Sequence, residues 1–166
     1  MGRRPDLCSD LVGFRVRRVH HRRLLPYLLD ATEITITDPY IRTFHQARNL
    51  MELIEEIASA KDPADEVRVN LVTGENTESE ERARKQIEYL AKVRAGALGG
   101  GIQFNASFDG AIHDRSIVTD TGWKLILGRG LDIFQYVTGD AFDLATRRQE
   151  YRQVKAFGVT YMQFEP

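Results

Sequence analysis

The sequence predicts an α/β fold, a mostly parallel sheet in β-α-β-α-β order with helices on both faces, followed by a C-terminal hairpin. Two patterns carry this reading. Between residues 33 and 108, β-branched runs at strand period alternate with apolar stripes at helical period; after Gly110, two short strand-like runs stand only a tight turn apart. At 166 residues and 42% hydrophobic content, the chain suits one compact domain whose core needs no metal or disulfide staple.

Taken in order, residues 23–30, RLLPYLLD, read as a short helix with Pro26 in its first turn, where a missing N–H costs little. In EITITDPY, Ile34 and Ile36 alternate with Thr35 and Thr37 as a strand that Pro39 stops. Its end delivers Asp38, Tyr40 and Arg42 into a loop, where doubly wound sheets place their ligands. A helical stripe follows at Phe44, Ala47, Leu50, Met51, Ile54, Ile57 and Ala58, and KDPADE ends it. VRVNLVT is the second strand. Thr77 with Glu80 has the form of a capping box opening a helix over residues 78–95, with Ile87, Leu90 and Val93 or Arg94 inward. GALGGG breaks that helix before a third strand, IQFNASF. SIVTD and WKLILG, joined by Thr121 and Gly122, form the hairpin. The last part mixes a polar stretch, in which Arg147, Arg148 and Arg152 suit a solvated helix face, with a final strand-like run, VTYMQF.

Composition excludes several classes. No apolar run approaches the roughly 20 residues that span a bilayer, and the arginine-bearing N-terminus lacks a following apolar segment of signal-peptide type. Cys8 is the single cysteine, and four scattered histidines offer no metal-ligand spacing, so neither a metal nor another cofactor is expected. A cytoplasmic protein, peripheral at a membrane at most, is the expectation. Net charge is −1, yet residues 1–23 hold seven arginines against two aspartates. Arg15, Arg17, Arg18, Arg22 and Arg23, beside His20 and His21, form a basic arm that would attract phosphates of lipid or nucleic acid. The organisation expected is this arm over residues 1–23 and one domain over residues 24–166.

Chemistry concentrates in IHDRSIVTDTGWKLILGRGLDIF. His113 and Arg115 share one face of an extended segment, so imidazole and guanidinium can meet one phosphate, while Asp120 could orient an imidazole. Gly128, Arg129 and Gly130 suit either a backbone nest for an anion or a tight turn, and Arg42 with Tyr40 suits either a second cation at the cleft or plain turn chemistry.

HDRSIVTD resembles the histidine-lysine-aspartate signature of the phospholipase D superfamily, H-x-K-x4-D-x6-G-S-x-x-N, with Arg115 in the lysine place. ITITDPYIRTFHQARNLMELI, the stretch containing His113, and FDL look like the phospholipase D-like domain at the C-terminus of proteins carrying a microtubule-interacting and trafficking domain. The likeness covers roughly residues 24–162. It implies the phospholipase D-like fold and, since catalytic relatives use two histidines and this chain carries one signature, a homodimer. It also implies a non-catalytic module binding acidic membrane phospholipids, as part of a longer protein with further domains. Departures bear on turnover: Arg115 presents a planar fork rather than a compact ammonium, and the superfamily glycine falls at Leu127, one residue before Gly128, with Arg129 for serine and Asp132 for asparagine. Three readings stand: an anion-binding dimer using His113, Arg115 and the arm, with nucleic-acid backbone allowed by charge; an active phosphodiesterase or nuclease with one His113 from each subunit; and a structural docking domain.

Overall fold

The computed structural model describes residues 23–134, 155 and 157–164. After a 3-10 turn at Leu25–Tyr27 come β1 (Glu33–Thr37), α1 (Phe44–Ala60), β2 (Val67–Thr73), α2 (Glu80–Gly99), β3 (Ile102–Phe108), β4 (Ser116–Thr119), β5 (Trp123–Leu127) and β6 (Val159–Gln163). The expected element order holds. Where a short helix was expected over residues 23–30, only the single turn forms, and its Leu25 and Leu28 are buried.

The six strands lie in the order β3-β2-β1-β4-β5-β6. β1 pairs β2 and β2 pairs β3 in parallel, whereas β1–β4, β4–β5 and β5–β6 are antiparallel. The sheet is therefore mixed, not mostly parallel, because β4, β5 and β6 all join it antiparallel. Helices on both faces are not found among the described residues. The two crossovers, β1 to β2 and β2 to β3, step the same way across the sheet, so right-handed connections put both helices on one side. There they touch: Met51 packs over Gly96, and Ala58 over Gly100.

Alternation fills the space beneath them. Ile34 and Ile36 on β1 lie level with Val69 and Leu71 on β2, and Ile36 lies level with Ile117 on β4, all buried. From above, α1 contributes Ala47, Leu50, Leu53, Ile54 and Ile57, and α2 contributes Leu90, Val93 and Ala97. Burying each large aliphatic side chain is worth about 1.5–3 kcal/mol. The opposite face is polar: Asn70 donates to Glu33 Oε1 at 2.9 Å, and Asn105 donates to Asn70 Oδ1 at 3.4 Å.

Three helix assignments shift. Ser79, not Thr77, caps α2, accepting from the Arg82 N–H at 3.2 Å. The reciprocal cap belongs instead to α1, where Gln46 Oε1 accepts from the Thr43 N–H at 3.0 Å. The inner stripe of α2 starts at Gln86, so Ile87, expected inward, is 56% exposed. On α1, Phe44 was expected in the stripe and instead stands exposed in the first turn, while Leu53 is fully buried.

Gln86 bridges the ends of β1 and β2. Its Nε2 donates to the carbonyls of Ile41 (2.8 Å) and Gly74 (2.9 Å), and its Oε1 accepts from the Asn76 N–H at 2.7 Å. At the other end of the sheet, Asp120 anchors the hairpin. Its carboxylate accepts from the Thr32 N–H at 3.1 Å and the Thr32 hydroxyl at 2.5 Å. Partial burial raises its pKa, but the Thr32 hydroxyl and the backbone N–H groups outweigh this and hold it below the usual aspartate range.

Two predictions follow from these anchors. Replacing Gln86 by Ala strands two carbonyls and one N–H and should destabilise the chain by about 2–3 kcal/mol, read as a lower urea midpoint at unchanged slope. Asp120 has a depressed folded pKa, so its contribution is full above the unfolded value and lost as pH falls through the folded one. The stability difference between wild type and Asp120→Asn should accordingly be largest at neutral pH and vanish in strong acid, measured by denaturant titration across the acid range.

Candidate functional site: a cationic cluster at the strand ends

The loop from β3 to β4 must pass the ends of two intervening strands, three interstrand spacings or about 14 Å. It sets off with the Asp109 N–H bonded to the Thr73 carbonyl at 2.9 Å, so it crosses the C-terminal ends of β2 and β1. His113 lies on this crossing and is exposed, and Arg115 stands half-buried at its end, immediately before β4.

Arg115 is held from two sides. Its guanidinium lies over the Tyr40 ring, 4.5 Å from the centroid, and Nη1 donates to the Gly128 carbonyl at 3.1 Å. Arg42 stands against the same ring at 5.5 Å, and its Nε donates to the Pro39 carbonyl at 3.0 Å. One tyrosine therefore carries two guanidinium groups, each contact worth about 0.5–1 kcal/mol at an exposed ring. Gly74 leaves room for this arrangement, since a Cβ there would stand 2.6 Å from Arg42 Nη2.

Beneath the cations lies Asp38, 2% exposed. Oδ1 accepts from the Tyr40 N–H at 3.0 Å and Oδ2 from the Leu131 N–H at 2.9 Å. Burial pushes its pKa up, opposed by the N–H groups of Leu131 and Tyr40 and by the nearby Arg115, while Asp132 adds to the rise. Gly130, at φ +60°, passes directly over this carboxylate, where any Cβ would overlap Oδ2. The Leu131 carbonyl in turn accepts from buried Asn49 at 3.1 Å.

The expected site residues divide accordingly. Tyr40, Arg42 and Arg115 come together, with His113 on the same rim. Asp120 does not join them. It follows β4 while Arg115 precedes it, about five residues or roughly 15 Å along an extended chain, so it cannot orient the His113 imidazole. Of the two readings open for residues 128–130, the nest does not form: the Gly128 N–H donates to the Gly158 carbonyl at 2.9 Å and the Gly130 N–H to the Leu127 carbonyl at 3.1 Å. They make a turn, and Arg129 projects from it, exposed. Arg23 is exposed too, and Arg15, Arg17, Arg18 and Arg22 lie outside the described residues, as do Arg147, Arg148, Arg152 and the FDL segment.

Sequence reasoning missed what supports the cluster. Asn49 and Gln86 each carried a signal, a polar residue set within an inward helical stripe. Asp132 carried less: Lys155 donates to both of its oxygens at 2.9 Å and His45 Nε2 lies 3.7 Å from Oδ1, pairings no local spacing announces. His45 Nε2 is buried, which makes this histidine part of the support rather than of the exposed rim. Among the described residues, no group of three or more His, Cys, Asp or Glu side chains could hold a metal ion, and no helix is long and apolar enough to cross a membrane.

Comparison with known proteins agrees with this architecture. MIT domain-containing protein 1 of Mus musculus is 31% identical over 113 residues, 65% of this chain and 42% of the relative. The chain thus spans less than half the length of that relative. The family described as the phospholipase D-like domain at the C-terminus of MIT matches residues 19–163. With that match running from before the 3-10 turn to the end of β6, the chain belongs to this family of phospholipase D-like domains.

Proposed function

We propose that the chain is a non-catalytic, homodimeric phospholipase D-like module that binds phosphate-bearing anions, with acidic membrane headgroups as the ligand. The observation that carries this is the pair of guanidinium groups of Arg42 and Arg115 on the ring of Tyr40, at the rim that His113 shares. With Nη1 of Arg115 engaged by the Gly128 carbonyl, its remaining N–H groups can serve two oxygens of one phosphate. Arg129 and the basic arm extend the positive surface.

Binding is favoured over turnover by what surrounds the motif. Arg115 stands where catalytic relatives place lysine and is fixed by a ring and a carbonyl, which suits recognition in one orientation. Asp132, in the place of the superfamily asparagine, is neutralised by Lys155 and offers the phosphate no donor.

Lipid is favoured over nucleic acid by the neighbouring aromatics. Tyr40 (45%), Phe44 (63%) and Phe108 (44%) are all exposed. Phe108 ends β3, Tyr40 lies in the loop after β1, and Phe44 opens α1. Exposed rings beside cations suit the headgroup boundary of a bilayer, where apolar and charged contacts are made together. Peripheral attachment to a membrane follows from this reading.

Sedimentation with vesicles tests it. The chain should bind phosphatidylserine-containing vesicles and ignore pure phosphatidylcholine, with salt weakening the interaction. Arg42→Ala and Arg115→Ala should each weaken binding by about fivefold to tenfold, the loss of one charged contact of roughly 1–1.4 kcal/mol, and Phe44→Ser should weaken it without changing the salt dependence. Wild-type binding by both arginine variants, or equal binding to duplex DNA that Phe44→Ser leaves intact, would remove the lipid reading. His113-dependent hydrolysis of a phosphodiester would establish an enzyme instead.

A further inference from the structure

The anion site proposed above contains a buried carboxylate that touches no ligand position, and its place is informative. Three segments meet at Asp38: the exit of β1, which carries Tyr40; the entry to β4, which carries Arg115; and the turn after β5, which carries Gly128 and Leu131. The Asp38 carboxylate bonds two of them directly, through the N–H groups of Tyr40 and Leu131. The third is joined to both: the Arg115 guanidinium rests on the Tyr40 ring and donates to the Gly128 carbonyl. Gly130 completes the joint. It crosses the carboxylate at a positive φ with no room for a Cβ, and a Cβ there would also stand 3.2 Å from Arg115 Cδ.

We propose that Asp38 is the positioning residue of this site. By fixing the residue 128–131 turn across the end of β1, it sets the Gly128 carbonyl and the Tyr40 ring at the separation that holds the Arg115 guanidinium flat, with its free N–H groups turned to the anion. The inference rests on the anion-binding reading and adds to it the device that aims its principal cation.

The charge of Asp38 makes the proposal separable from simple electrostatics. A carboxylate beside Arg115 opposes an incoming anion, so removing that charge alone would tighten binding. Positioning predicts the reverse. Asp38→Asn preserves shape but presents an amide N–H₂ to one of two backbone N–H groups, which loosens the turn. Gly130→Ala reaches the same joint from the other side, displacing the carboxylate while keeping its charge.

The test is binding to vesicles of phosphatidylcholine with phosphatidylserine, for Asp38→Asn, Gly130→Ala, Arg115→Ala and the double variants pairing each of the first two with the third, with thermal melting as the folding control. Asp38→Asn and Gly130→Ala should each weaken binding by about fivefold to tenfold, and each should cause no further loss once Arg115 is Ala. Three results would overturn the proposal: unchanged or tighter binding by folded Asp38→Asn and Gly130→Ala, while Arg115→Ala is impaired; an equal loss with and without Arg115, which would place the effect elsewhere; and wild-type binding by Arg115→Ala. Only the last, joined by wild-type binding of Arg42→Ala, would also remove the anion-binding reading.

Discussion

The rim of the sheet depends on a single buried carboxylate that accepts two backbone hydrogen bonds. Asp38 lies at the end of β1, almost without solvent, and its bonds to Tyr40 and Leu131 connect chain segments more than 90 residues apart. An ionised carboxylate removed from water is costly unless donors and a cation compensate it. Here the donors are backbone groups that themselves need acceptors, so the carboxylate and the turn stabilise one another. The upward shift of its pKa shows that compensation is incomplete, and the direction has a consequence. A folded pKa above the unfolded one means that ionising Asp38 costs stability as pH rises through the folded value. Ionisation of this carboxyl group therefore opposes folding, at a position where it ties the exit of β1 to the turn after β5.

Asp38 has two lesser counterparts. Gln86 on α2 holds the carbonyls of Ile41 and Gly74, and Asn49 on α1 holds the carbonyl of Leu131. Both are buried polar residues within otherwise apolar helix faces, and both reach the loops at one end of the sheet. The helices therefore have two duties: their aliphatic stripes bury the strand faces, and one amide on each fixes the loops that carry the cations. Apolar packing is non-directional and cannot set a loop to within a fraction of an ångström, whereas hydrogen bonds of defined geometry can.

This division explains what could be read from the sequence. Strand and helix identities follow from period, and VRVNLVT, IQFNASF and both hairpin strands emerge close to where alternation places them, because burial on one face is a local pattern. Relations between elements were less legible. The mixed pairing and the helices on one face follow from strand order, which no single segment encodes. Asp120 was grouped with His113 and Arg115 by spacing, although a four-residue strand between them carries it to the opposite end of the sheet. Apolarity groups Ile87 with Leu90 and Val93 on the inner side of α2. Position decides otherwise, since Gln86, Leu90, Val93 and Ala97 form the regular stripe and Ile87 lies beside it.

The same distinction bears on the motif. A histidine, a basic residue two positions on and an aspartate five further mark one strand with its two flanking ends, and only the first two lie at the rim. Asp120 belongs to the hairpin: it bonds the N–H and hydroxyl of Thr32 at the start of β1, and its own N–H meets the Glu33 carbonyl. Spacing to Asp120 can therefore persist for reasons of fold while the chemistry of the rim changes, and the exchange of lysine for arginine is such a change. A flexible ammonium follows a phosphate whose geometry alters during reaction; a guanidinium laid on Tyr40 and tied to Gly128 has one favoured orientation. Fixing a cation lowers the entropy lost when an anion binds and offers less adjustment to a transition state of different shape. On the proposed anion-binding reading, a cation held in this way suits retaining a phosphate better than transforming it.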